Sequence, residues 1–123
     1  HFNRSEDWFR DELLPVTGLD VYSQSFPTDR GYADYSSGRF RILIIRQEDV
    51  RRVGAEALGQ FFDLDGPCPI LDRNTGEGDP VYERFRREWR FPSDLVEETY
   101  ESPMATHFYD DEERAAMTRR WTE

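Results

Sequence analysis

Four consecutive aliphatic residues, Ile42-Leu43-Ile44-Ile45, lie between arginines and run straight into a helical pattern. Such a run is short, β-branched and apolar on both sides of the pleat. It is expected in a strand buried on both faces, as in the middle of a parallel sheet. The pattern changes period at Arg46-Gln47-Glu48-Asp49. Val50, Val53, Ala57, Leu58 and Phe61 then fall on one face of an α-helix. Asp49 is placed to cap that helix. Strand, turn and helix together make half of a βαβ unit.

The flanking chain fits an α/β architecture. Residues 5–14 form an amphipathic helix with Ser5 as cap and Trp8, Phe9 and Leu13 as stripe, ended by Pro15 and Gly18. Leu19 to Tyr22 alternates as an extended segment does. Tyr32 to Tyr35 has the character of a short edge strand. Asp63 to Asp79, rich in Gly and Pro, is expected as a long surface loop. Three short helices follow, Pro80 to Trp89, Ser93 to Glu101 and Asp110 to Trp121, the last with the capping-box pair Asp110 and Glu113. The three tryptophans sit on apolar helical faces and are expected in the core. A parallel central strand needs neighbours on both sides, and few other strands are available. Residues 1–123 are therefore expected to be one partial domain with an unpaired strand edge, and self-association through that edge follows.

Charge narrows the partners. The net charge is −10, which argues against nucleic acid, although local basic sites remain open. All 16 basic residues are arginine, a feature of GC-rich coding or of salt adaptation. The single cysteine, Cys68, excludes an internal disulfide. No stretch approaches transmembrane length and no signal peptide is visible, so a cytoplasmic protein is expected, peripheral to the inner membrane only through partners. Neither a phosphate-binding glycine loop nor a metal-ligand spacing occurs, and with two histidines and one cysteine no metal site is expected.

Four residues are candidates for chemistry. Arg46 and Glu48 stand at the carboxyl end of the strand, where open α/β sheets bind ligands. Composition favours a plainer role, with Asp49 and Glu48 capping and Arg46 paired to a carboxylate. His107 and Tyr109 precede a helix N-terminus. His107 suits acid–base work or ligand contact, and Tyr109 suits stacking on a sugar or base. Against that, Phe108 would fill the core while His107 bonds backbone. Arg84, Arg86, Arg87 and Arg90 form a basic cluster suited to an anionic glycan or nucleotide, or to pairing with Glu83 and Glu88 on a solvated face.

The order of phrases WFRDELLPVTGLDVY, RILIIRQEDV, VYERFR, FPSDLVEETYESP and HFYDDEE with RRW resembles the bacterial capsular polysaccharide synthesis proteins, a sulfotransferase-like group of the P-loop fold. The resemblance runs from about Trp8 to Trp121. It implies a parallel sheet flanked by helices and ending in short helices. It also implies 3′-phosphoadenylyl sulfate as donor for the parent protein and a carbohydrate acceptor. The donor-binding motifs of that group are not in this chain, which holds no lysine. The chain is accordingly expected to be the C-terminal segment of such a sulfotransferase, with no cofactor site of its own and with Arg46, Glu48, His107 and Tyr109 on the acceptor side. The alternatives are a non-catalytic glycan-binding or interaction module, and a nucleotide-sugar-dependent transferase in capsule assembly.

Overall fold

The computed structural model describes the backbone of residues 4–70 and 78–123, with side chains from Glu6 onward. The cap expected at Ser5 and the centre of the 63–79 loop lie outside the described residues.

Helical structure opens the chain as α1 (Arg4–Trp8), a π-helical turn (Phe9–Leu13) and α2 (Leu14–Thr17). Pro15 does not end the helix as expected. It lacks an N–H and crowds the carbonyl four residues back, and the wider π turn just before it relieves that crowding. Gly18, at φ 76°, closes the helix. The segment from Leu19 to Tyr22 is not extended. Val21–Ser23 is a 3₁₀ turn because the Asp20 carboxylate accepts from the Tyr22 N–H at 3.1 Å.

The aliphatic run forms β2 (Phe40–Ile45), which pairs with β1 (Tyr32–Ser37) as an antiparallel hairpin. Two residues join the strands. The first, Gly38, has φ 56°, the left-handed conformation that two-residue hairpins favour. The expected α/β fold, a parallel P-loop sheet flanked by helices, is overturned: the sheet among the described residues has two antiparallel strands and helices dominate the chain.

The physical reason lies in how β2 is covered. Leu43 and Ile45 face Val53 and Ala57 of the next helix, α3 (Val50–Phe61), together with Tyr32. Ile42 and Ile44 face the opposite way, against a core of Leu19, Val21, Phe26, Ala33 and Phe108. Both faces of the ribbon are thus apolar because it is sandwiched between α3 and an aromatic cluster. Double-sided burial has the same signature in a parallel sheet and in a covered hairpin.

Residues 64–70 fold back along α3. Leu64 N–H donates to Gly59 O (2.9 Å) and Cys68 N–H to Ala55 O (2.8 Å). A Cβ at Gly59 would stand 2.4 Å from the Gly66 carbonyl oxygen, so the close approach requires glycine.

The C-terminal half contains α4 (Pro80–Glu88), α5 (Ser93–Tyr100), α6 (Pro103–Phe108) and α7 (Asp111–Thr122). Helix α6 is an addition to the expected set, capped by Ser102. Trp121 ties the group together: its carbonyl accepts from the Phe91 N–H (2.9 Å), and its ring meets Phe91 and Phe85 at 5.5 and 6.3 Å. Trp8 and Trp89, expected in the core, are each 51% exposed.

Candidate functional site

The turn between β2 and α3 is built on Arg46, whose side chain is buried. Its Nε donates to Asp49 Oδ2 (2.6 Å), and Nη1 donates to the Phe108 carbonyl (2.9 Å) and to the Glu113 carboxylate (2.9 Å). Nη2 donates to the Thr28 carbonyl (2.9 Å). Burial opposes the positive charge, but the bonds and charges of Glu113 and Asp49 outweigh it and raise the Arg46 pKa, so the guanidinium stays ionised. The planar fork thus joins four separate places in the chain.

Asp49 does not cap α3 with its side chain, contrary to expectation. Its carboxylate is occupied by Arg46 on one oxygen and by Arg52 Nη2 on the other (2.9 Å). Burial would raise its pKa, but these two bonds prevail and hold it below the ordinary value. Gly31 faces it at φ 83°, where a Cβ would come within 2.5 Å of Asp49 Oδ2. Glu113 serves twice, accepting from Arg46 and from the Asp110 N–H (2.9 Å) that completes the capping box of α7.

This joint brings Glu48 and Tyr109 together. The Tyr109 hydroxyl donates to Glu48 Oε2 at 2.8 Å, and the Arg46 guanidinium lies 5.1 Å from the Tyr109 ring. Burial, the hydrogen bond to Glu48 and its charge all raise the Tyr109 pKa, against a smaller opposing effect of Arg46. Tyr109 is therefore a neutral donor at physiological pH. Tyr100 is also raised, first by burial and then by the Glu48 charge.

Glu48 and Tyr109 form one wall of a cleft of about 340 Å³, with Tyr100, Trp121, Arg86 and Arg120 among its other lining residues. Tyr100 and Trp121 also line an adjoining apolar hollow with Phe91 and Leu95. The cleft thus offers aromatic surface, a carboxylate acceptor, a phenolic donor and two cations. Sugars are recognised by such a combination, with apolar ring faces on aromatics and hydroxyls on fixed polar groups.

His107 is not on this cleft. It packs edge-on to Tyr22 (5.4 Å) and Phe108 (4.8 Å), and its Nε2 is buried without a hydrogen-bond partner. Burial lowers its pKa, only partly offset by a hydrogen bond with the Val21 backbone and the Asp20 charge. Arg46 lies behind the Glu48 wall, its donors taken by the fold. Trp121 and Arg120 were not singled out as site residues from sequence. Their i, i+1 placement at a helix end carries no binding signature, and they reach the cleft only because α7 packs against α4 and α5.

No group of three or more His, Cys, Asp or Glu side chains among the described residues could hold a metal ion. The strand-to-helix junction does not fit the phosphosulfate of 3′-phosphoadenylyl sulfate: its N-terminal turn presents Glu48 and Asp49, and the Asp49 N–H is taken by the Arg46 carbonyl (3.0 Å). No helix among the described residues is long and apolar enough to cross a membrane.

No curated protein and no solved structure matches the chain significantly. One family model does, over residues 2–110, and its description is "Putative capsular polysaccharide synthesis protein". The match covers most of the sequence and includes the β2–α3 turn, Glu48 and Tyr109, and the chain belongs to that capsular polysaccharide synthesis family.

Proposed function

We propose that this chain supplies a saccharide-binding surface for capsular polysaccharide synthesis, with the Glu48–Tyr109 cleft as the place where the acceptor glycan lies. The observation that carries the proposal is the Tyr109–Glu48 hydrogen bond (2.8 Å) on a wall shared with Tyr100 and Trp121. In this reading Tyr100 and Trp121 take the apolar face of a pyranose ring. Glu48 accepts from a sugar hydroxyl, and Tyr109 keeps the carboxylate oriented. Sulfuryl transfer from 3′-phosphoadenylyl sulfate remains the finer suggestion of the family resemblance. The proposal stops at acceptor binding, because the residues of the junction do not suit that donor.

The test is a titration followed by ¹H–¹⁵N NMR, with hyaluronan tetrasaccharide and cellotetraose as acidic and neutral probes. At least one should shift the Tyr100, Tyr109 and Trp121 resonances saturably. Glu48→Ala should weaken that binding by roughly tenfold, about 1.4 kcal/mol, with little change in melting temperature because Glu48 is exposed. Absence of saturable shifts with both probes, or affinity equal to wild type in both Glu48→Ala and Tyr109→Phe, would overturn the assignment.

A further inference from the structure

The arginines of this protein fall into two groups. Arg10, Arg41, Arg46, Arg52, Arg84 and Arg114 each bridge a carboxylate. Arg86, Arg87 and Arg120 bridge none among the described residues, although acidic residues outnumber basic ones by 26 to 16. These three, together with Glu83, line one open hollow of about 430 Å³ between α4 and the end of α7. Other arginines also bridge no carboxylate among the described residues, and ring contacts occur in both sets, since Arg86 lies 5.9 Å from the Tyr82 ring. Arg30 and Arg39 lie against the rings of Tyr32 and Phe40, and Arg90 donates to the carbonyls of Arg87 and Trp89. Arg119 shares its hollow with Glu97, Glu101 and Asp111.

Three guanidinium groups in one hollow repel each other, and nearby acids would relieve that repulsion. Glu83 is the single carboxylate that lines the hollow with them, and the fold holds Arg120 in place. Arg120 Nη2 donates to the Arg86 carbonyl, and the Arg120 guanidinium lies 4.9 Å from the Trp121 ring. Trp121 in turn fixes the segment after α4 through Phe91. A cation held before a ligand arrives, as Arg120 is, loses less rotamer freedom on binding, which favours an anion with several oxygens.

Arg86 and Arg120 border this hollow on one side and the Glu48–Tyr109 cleft on the other. We propose that Arg86, Arg87 and Arg120 form an oxyanion site that takes the carboxylate, sulfate or phosphate carried by an acidic saccharide. The saccharide part of the proposal rests on the reading of the cleft given above; the oxyanion site rests on the arginines alone. Glu48, which also lines the cleft, repels the anionic group and so favours a ligand whose charge lies toward Arg86 and Arg120.

The experiment is calorimetric titration of the whole chain with hyaluronan tetrasaccharide, cellotetraose and inorganic pyrophosphate, at 50 and 200 mM NaCl. Wild type, Arg87→Gln and Arg120→Gln are compared, and Arg87 is exposed enough that its variant should fold normally. Hyaluronan should bind more tightly than cellotetraose and weaken with salt. Arg87→Gln should reduce its affinity about fivefold, an effect of about 1 kcal/mol, and leave cellotetraose unchanged. Pyrophosphate binding that depends on Arg87 and Arg120, with no binding of either saccharide, would keep the oxyanion site and overturn the glycan reading. Cellotetraose bound as well as hyaluronan, with no effect of salt or of either variant, would overturn the oxyanion site and keep the cleft. No binding of any probe would overturn both.

Discussion

Replacing Arg46 with methionine removes the group on which the β2–α3 turn is assembled while keeping most of the apolar stem. The change deletes the bridges to Asp49 and Glu113 and the bonds to the Thr28 and Phe108 carbonyls. Asp49 stays buried with Arg52 as its remaining partner, and Arg52 is itself 55% exposed. Breaking a buried ion pair by removing one partner costs about 3–5 kcal/mol. Each buried carbonyl left without a donor adds about 1–3 kcal/mol, although such terms do not sum fully. A loss of about 4 kcal/mol is a conservative expectation, against a total stability of about 5–15 kcal/mol for a domain of this kind. Urea unfolding followed by tryptophan fluorescence would show it. At an m-value of about 1.5 kcal/mol/M, the midpoint should fall by about 2.7 M. The acid limb supplies a second readout. The folded Asp49 carboxyl has a depressed pKa, so its contribution is present above its unfolded value of about 3.9 and is lost as pH falls through the folded value. In Arg46→Met that pKa rises, and acid unfolding should begin at higher pH. Arg46→Lys, a point charge without the fork, should recover less than half of the loss. A midpoint shift under 0.7 M, equivalent to about 1 kcal/mol, with an unchanged acid limb would refute the role given to Arg46.

Two glycines of α3 offer a paired comparison. Alanine is favoured over glycine in a helix by up to about 1 kcal/mol, but at Gly59 a Cβ would meet the Gly66 backbone at 2.4 Å, and at Gly54 the movable tip of the Ile70 side chain at 2.6 Å and Val50 Cγ1 at 3.3 Å. Gly59→Ala should therefore destabilise by about 1–3 kcal/mol and Gly54→Ala should be neutral or stabilising; thermal melts showing the reverse order would mean that residues 64–70 do not pack on α3 as described. His107 should make stability depend on pH in a separate window. Its folded pKa is lowered, so its contribution is complete above the unfolded value of about 6.5 and is lost as pH falls toward the folded value. His107→Phe should flatten the stability curve below about pH 6.5, and an unchanged slope in denaturant melts there would show that His107 titrates as it does in the unfolded chain.

Much of the helical content was legible because it rests on local rules. The period of Val50, Val53, Ala57 and Phe61 gave α3, and Asp110 with Glu113 gave the start of α7. Capping and amphipathic spacing act within one or two turns, so no distant information is needed. The turn from Arg46 to Asp49 was legible as a junction for the same reason, and its Glu48 lies in the cleft. The π turn before Pro15 and the 3₁₀ turn after Asp20 were not anticipated, since each depends on a short-range contact that competes with the plain periodic pattern.

The sequence by itself determined that Ile42–Ile45 is a strand covered on both faces and that a helix follows it. Whether the cover is a set of parallel neighbours or a sandwich of α3 and aromatic side chains was decided only by the tertiary structure. The same holds for Arg46. Its sequence neighbours suggest a partner in Asp49, but the Phe108 carbonyl and Glu113 lie 62 and 67 residues further on. Burial pattern reports how much surface a segment loses, not which segment takes it, and a guanidinium will donate to any carbonyl or carboxylate that packing delivers. Partner choice therefore belongs to the packing of distant elements, which also brings Trp121 and Arg120 to the cleft that Glu48 lines.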